Sequence, residues 1–342
     1  MKNTKSSAFP LAVASAVIIA ASAMAAADGF PVKLSQPPQG TMLYGDPVHL
    51  VDGKPWAKDP TVIRRDGRYL MYYTVRAPKG YGGAIAESKN LVDWRRVCDI
   101  EVSGAPFERG WVAPCAKVFD GKVHLFAQAP APEGIVTSAG VSVAGKNVIW
   151  HATSEDGIHF EMAPGNPAFV PNNRWSVARA IDAEVYREGD SMILAFATRE
   201  APGAKIQQLG LAKAPYGSAY GRADWTELTI DAPLLRPELE WEGHCIEAAT
   251  TIRRGALRYM FYAGSYNHER QQIGLAVSKD GIRYSRCGEG PVLTHGPEGS
   301  WNEWESGHPG IFEDDDGKVY LFFQGKATKT GGYSLSCLLA EW

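Results

Sequence analysis

One pattern recurs five times along the chain: a short apolar stretch, a tight glycine turn, then an aromatic-rich stretch. The copies are DPTVIRRDGRYLMYY from Asp59, APCAKVFDGKVHLF from Ala113, DAEVYREGDSMILAF from Asp182, EAATTIRRGALRYMFY from Glu247 and HPGIFEDDDGKVYLFF from His308. Units then run into a third stretch, as in AIAESKNLVDW (84–94), VIWHATSEDGIHF (148–160) and IGLAVSKDGIRY (273–284). Short β-branched and aromatic runs bounded by Gly and Asp are strand and hairpin signals, and sustained helical periodicity is nearly absent. A repeat of about sixty residues that supplies four short strands is a propeller blade, which buries its faces only against further blades. The expectation is all-β: a single five-bladed β-propeller over residues 28–342.

The fifth unit ends at YSLSCLLAEW, which supplies a third strand and no fourth. An open edge there would invite association, so another segment must cover it. The stretch TMLYGDPVHLV (41–51) is the expected donor.

The first residues, MKNTKSSAFPLAVASAVIIAASAMAAADGF, place Lys2 and Lys5 before an apolar run and small residues that fit an A-x-A cleavage site. This reads as a signal peptide over 1–27 and predicts a periplasmic or secreted protein with no membrane span. A net charge of only -3 gives no field for nucleic acid. Cys98, Cys115, Cys245, Cys287 and Cys337 are widely spaced and match no metal motif. One disulfide or none is expected, with buried thiols the default.

Counted back from the turn glycines, the residues that enter the inner strands are Asp59, Ala113, Asp182, Glu247 and His308. In a propeller these converge on the mouth of one channel. A lone Asp before a strand is usually a turn former. Three acids in one register of a repeat instead crowd together, and their repulsion raises at least one pKa, which suits paired acid and base work. A cation site built from the same oxygens is the structural alternative. Long loops on that face carry Trp175, Trp241, Trp301 and Trp304. Trp175 and Trp304, with Trp111, are candidates for stacking on sugar rings, against an equal case for capping the core. Arg179, His244 and His308 complete the candidate substrate contacts.

Through KDPTVI, GRYLMYYT, WVAPCAKVFDGKVHLF, AIDAEVY and CIEAATTI, the chain resembles the five-bladed propeller glycoside hydrolases. It is most like family 43 and is related to families 32, 62, 117 and 130. The resemblance implies Asp59 as general base, Asp182 as the residue that tunes and orients the acid, and Glu247 as general acid. It also implies hydrolysis of plant or algal oligo- or polysaccharides with inversion. No cofactor is required on this reading; a Ca2+ ion in the central channel, with His308 as its candidate ligand, is the one metal it brings in. The chain departs from the family where Ala183 and Ala248-Ala249 replace Pro and Gly-Pro. Two alternatives therefore stand beside it: a carbohydrate-binding propeller without activity, and a family-117-like anhydrogalactosidase with His244 as the acid.

Overall fold

The computed structural model describes residues 30–77, 80–200 and 205–342. The leader expected over 1–27 lies outside them. Among the described residues, five sheets surround a central channel. Blade one comprises Lys58–Arg65, Arg68–Ala77, Gly80–Ser88 and Arg95–Asp99, from channel to rim. Blade two comprises Val112–Phe119, Lys122–Pro130, Asn147–Ser154 and Phe160–Met162, with Val102–Ser103 added parallel at its outer edge. Blade three runs Ile181–Glu188, Ser191–Arg199, Gln207–Pro215 and Thr226–Glu227, and blade four Ile246–Arg254, Leu257–Gly264, Gln272–Ser278 and Ser285–Arg286. Blade five has Glu305–Glu313, Val319–Lys326 and Ser334–Glu341, closed by Lys33–Ser35. The five-bladed propeller is therefore the observed fold.

The closing strand differs from the expected one. Lys33, Leu34 and Ser35 pair with Glu341, Ala340 and Leu339, whereas residues 41–51 give that edge one bridge, Tyr44 to Leu335. Gly45 and Pro47 interrupt the latter stretch, and Asp46 turns it by accepting from the backbone of Val48 and His49.

Successive side chains on a strand face opposite sides, and here each side meets a different blade. Val62 and Met71 pack toward blade five, while Ile63, Leu70 and Tyr72 pack toward blade two. Five apolar clusters thus fill the five gaps between blades. Burial on both faces explains continuous runs such as YLMYY in place of alternation; each large side chain so buried stabilises the fold by roughly 1.5–3 kcal/mol. Near the axis there is no room: a Cβ on Gly310 would meet the Pro60 carbonyl oxygen at 2.0 Å. All five cysteines are free, and Cys115, Cys245 and Cys337 are buried.

Candidate active site

Every inner strand carries the same bulge. Two residues oppose one at Asp59-Pro60, Ala113-Pro114, Asp182-Ala183, Ala248-Ala249 and His308-Pro309. The first of each pair is left-handed, with φ of 54°, 46°, 52°, 52° and 43°. Such backbone costs a non-glycine residue on the order of 1–3 kcal/mol and turns its side chain toward the channel mouth.

The bulges correct the register read from the turn glycines. Glu247 precedes its bulge, so its counterpart in blade one is Lys58, and Ala248 is the counterpart of Asp59. The offset arises because glycine occupies different turn positions. In blade one both Asp66 and Gly67 have positive φ, as a type I′ turn requires, whereas in blade four Gly255 opens the turn.

Three of the left-handed residues are fixed by the blade before them. The backbone N–H of Asp59 donates to Gln324 Oε1 at 3.0 Å, that of Ala113 to Thr74 Oγ1 at 2.8 Å, and that of Asp182 to Gln128 Oε1 at 2.8 Å. Both acids therefore depend on neighbouring blades for their position.

Asp59, Asp182, Glu247 and His308 meet in one place, all buried. His308 bridges two of the acids: Nδ1 lies 2.8 Å from Asp59 Oδ1, and Nε2 lies 3.0 Å from Glu247 Oε1. Glu247 also accepts from Gln271 Nε2 at 2.8 Å and from Gln207 Nε2. Arg179 fixes the Gln207 amide by donating to its Oε1 at 3.0 Å; because arginine can only donate, the Gln207 NH2 must face Glu247. Lys58 Nζ stands 3.8 Å from Asp59 Oδ1 and donates to Asn267 Oδ1 at 3.1 Å.

These contacts sort the charges. Burial would raise Asp59, but the Lys58 and His308 cations outweigh it and hold the carboxyl well below its usual range. Burial also opposes ionisation of Glu247, and hydrogen bonding and charge from His308 again prevail, so its pKa is lowered. Burial works against protonated His308, yet the Asp59 carboxylate, followed by Glu247, pushes its pKa well up, making it an imidazolium. For Asp182 the balance reverses: burial, then the Glu247 charge, outweighs the His308 and Arg179 cations and pushes it up to about 7. Its Oδ2 is buried without a hydrogen-bond partner. One acid does rise, but chiefly through burial, with repulsion from Glu247 second, and it is Asp182 and not Glu247.

The trio opens into a pocket of about 440 Å³, shared with Lys58, Tyr81, Arg109 and Asn267. The candidate tryptophans lie elsewhere. Trp111 is only 3% exposed and packs in the core between blades one and two beside Phe107, where it cannot reach a ligand. Trp175 is tied to the Thr229 carbonyl oxygen, and Trp304 lies under the Arg270 guanidinium. Neither lines this pocket. Its exposed aromatic residue is Tyr81, which the spacing of the repeats did not single out. His244 is exposed and lines an adjoining pocket with Arg179, apart from the three acids.

Asp182, Glu247 and His308 offer ligand atoms within 4.8 Å of one another, so the group could hold a cation. Ca2+ suits it poorly. That ion takes 6–8 oxygen ligands, and both His308 nitrogens already face carboxylates.

Five blades around buried carboxylates at a pocketed channel mouth define a propeller of the glycoside hydrolase type. The chain belongs to glycosyl hydrolases family 43, whose model matches residues 53–336. It is therefore a glycosidase. Among solved structures, a thermostable family-43 glycoside hydrolase is similar at 18% identity, with a TM-score of 0.66 over 86% of this chain and 91% of the other. An endo-1,4-beta-xylanase from Bacteroides thetaiotaomicron matches at 18% identity and TM-score 0.61, over 82% and 89%. An alpha-L-arabinofuranosidase from Lactobacillus brevis matches at 15% identity and TM-score 0.59, over 86% and 92%. No curated protein matches. At these identities the structural likenesses establish the fold.

Proposed function

We propose that the protein is an exported, inverting glycosidase of plant or algal oligo- and polysaccharides, acting on xylose- or arabinose-containing chains. The observation that carries this reading is the ionised Asp59 facing the Asp182–Glu247 pair across His308. His308 stands between the two carboxylates, 2.8 Å from Asp59 Oδ1 and 3.0 Å from Glu247 Oε1, so Asp59 and Glu247 are held apart rather than in contact, as an inverting pair needs. Asp59 takes a proton from that water as it attacks the anomeric carbon. The leaving glycosidic oxygen takes a proton from the opposite side.

Asp182 and Glu247 act there as a pair that holds one proton between them. The donors around Glu247 favour its carboxylate, so the proton rests on Asp182 before substrate binds. Glu247 remains the donor that the family pattern assigns; its proton comes from Asp182, within 4.8 Å. The named xylanase and arabinofuranosidase neighbours support pentose-containing substrates. The leader-like first residues support export. Release of reducing sugar from aryl arabinofuranosides, aryl xylosides, arabinan and xylan, with Asp59→Asn as control, tests the reading. Binding of these glycans without any cleavage would overturn it.

A further inference from the structure

Beside the catalytic pocket, and sharing Asn147 with it, lies a second pocket of about 820 Å³. Lys146, Arg179, Arg199, Lys205, His244 and His268 line it. Glu269 is its one acidic lining residue, 3.6 Å from His268. Among the described residues, no carboxylate lies within ion-pair distance of Lys146, Arg179, Arg199 or Lys205. Residues 201–204, which flank Lys205, are Ala-Pro-Gly-Ala and carry no charge.

Arg179 shows the imbalance most directly. Its Nε is buried with no partner, and Arg199 is a like charge beside it. Burial and then Arg199 both weigh against its ionised form, and the Asp182 and Glu247 charges offset this only in part. The Arg199 guanidinium lies over the Tyr266 ring, 5.6 Å from its centroid. Lys146 has only the Val177 carbonyl oxygen, at 2.8 Å. Cations gathered in a cavity without counter-charges are matched by an anion brought in by the ligand.

We propose that this pocket binds an anionic group, a uronate carboxylate or a sulfate ester, on a sugar adjoining the bond that is cleaved. The inference deepens the glycosidase reading and rests on it for the position of that bond. Arginine pairs carboxylates and sulfate esters through parallel N–H donors, and Arg179 and Arg199 are the two guanidinium groups that line the pocket. The Arg179 side chain orients Gln207 against Glu247, so an anion on Arg179 sits one amide away from the acid pair.

Calorimetric titration of Asp59→Asn protein, whose turnover should be slow enough to read binding alone, tests this apart from catalysis. The probes are a glucuronate-bearing xylo-oligosaccharide, a sulfated galacto-oligosaccharide, and the neutral xylo- and galacto-oligosaccharides of equal length. At least one acidic probe is expected to bind about tenfold or more tighter than its neutral counterpart, with an affinity that falls as salt rises. Which acidic probe binds identifies carboxylate or sulfate. Arg199→Ala and Lys205→Ala, at exposed positions where folding is not at stake, should each reduce the preference, and Arg179→Ala should remove it. Equal binding of acidic and neutral probes, or a preference unchanged in Arg199→Ala and Lys205→Ala, overturns the proposal. Hydrolysis of neutral substrates alongside such a result would leave the glycosidase reading intact.

Discussion

His308 Nδ1 lies 2.8 Å from Asp59 Oδ1, so a cation from the fifth blade holds the acid of the first in its ionised form. Replacing His308 with Gln keeps a polar side chain but removes the charge. Asp59 and Glu247 should then both become harder to ionise. The acidic limb of the kcat/KM profile should move to higher pH, with maximal activity reduced. Superimposable limbs for the variant and the parent would show that the imidazolium does not set them.

Asp182 has the opposite linkage. Its pKa is raised from an ordinary 3.8 to about 7, so the folded state binds this proton more tightly than the unfolded chain does. Stability from this group is present below the unfolded pKa and is lost as pH rises through the folded one. Asp182→Asn should therefore melt higher than the parent near pH 8, by up to about 4 kcal/mol of stability, with the gain vanishing near pH 3.5. Activity should fall together with this gain. Thermal melts across pH check it; a variant less stable than the parent at about pH 8 contradicts the assignment of the buried proton.

Asp59→Asn and Glu247→Gln should each lower turnover by about 10²–10⁴-fold, with circular dichroism unchanged. The two losses should differ by substrate. A nitrophenyl leaving group needs little protonation, so Glu247→Gln should recover much of its rate on aryl glycosides, and Asp59→Asn should not. Equal losses on aryl and sugar leaving groups would remove Glu247 from the proton-donating role.

The span across His308 predicts the stereochemistry. Proton NMR of the first product should show the anomer opposite to the substrate if Asp59 activates a water and does not itself attack the sugar. A retained anomer, or a sugar covalently attached to Asp59, would exclude the water-mediated route.

A chain beginning at Gln36 lacks the strand that covers Leu339–Glu341. It should aggregate or melt at least about 5 °C lower than the full-length protein. Matching melting curves would show that blade five is stable with three strands.

The repeat made the fold legible because every blade needs the same apolar strands and tight turn. It also brought Asp59, Asp182 and His308 to the channel mouth, since their bulges are alike. Glu247 was found one position out of register, because a glycine marks a turn without saying which corner of it. The tryptophans were less legible: Trp111 packs in the core between blades one and two, and an indole serves such packing as readily as a sugar face. Gln128 and Gln324, which hold the two aspartates, did leave a trace. Each is a polar residue at the end of an otherwise apolar run, LFAQ and LFFQ, where burial requires a hydrogen-bond partner. The partner itself is on the next blade, at a distance no local pattern records.

The pairing of Lys33–Ser35 with Leu339–Glu341 also sets an order of events during synthesis. That strand must wait for its partner in blade five, so the ring stays unlatched until blade five has been made. Until then its blades present unmatched flanks, and a chaperone that met the chain in that interval would act on a molecule whose clasp has not yet been made.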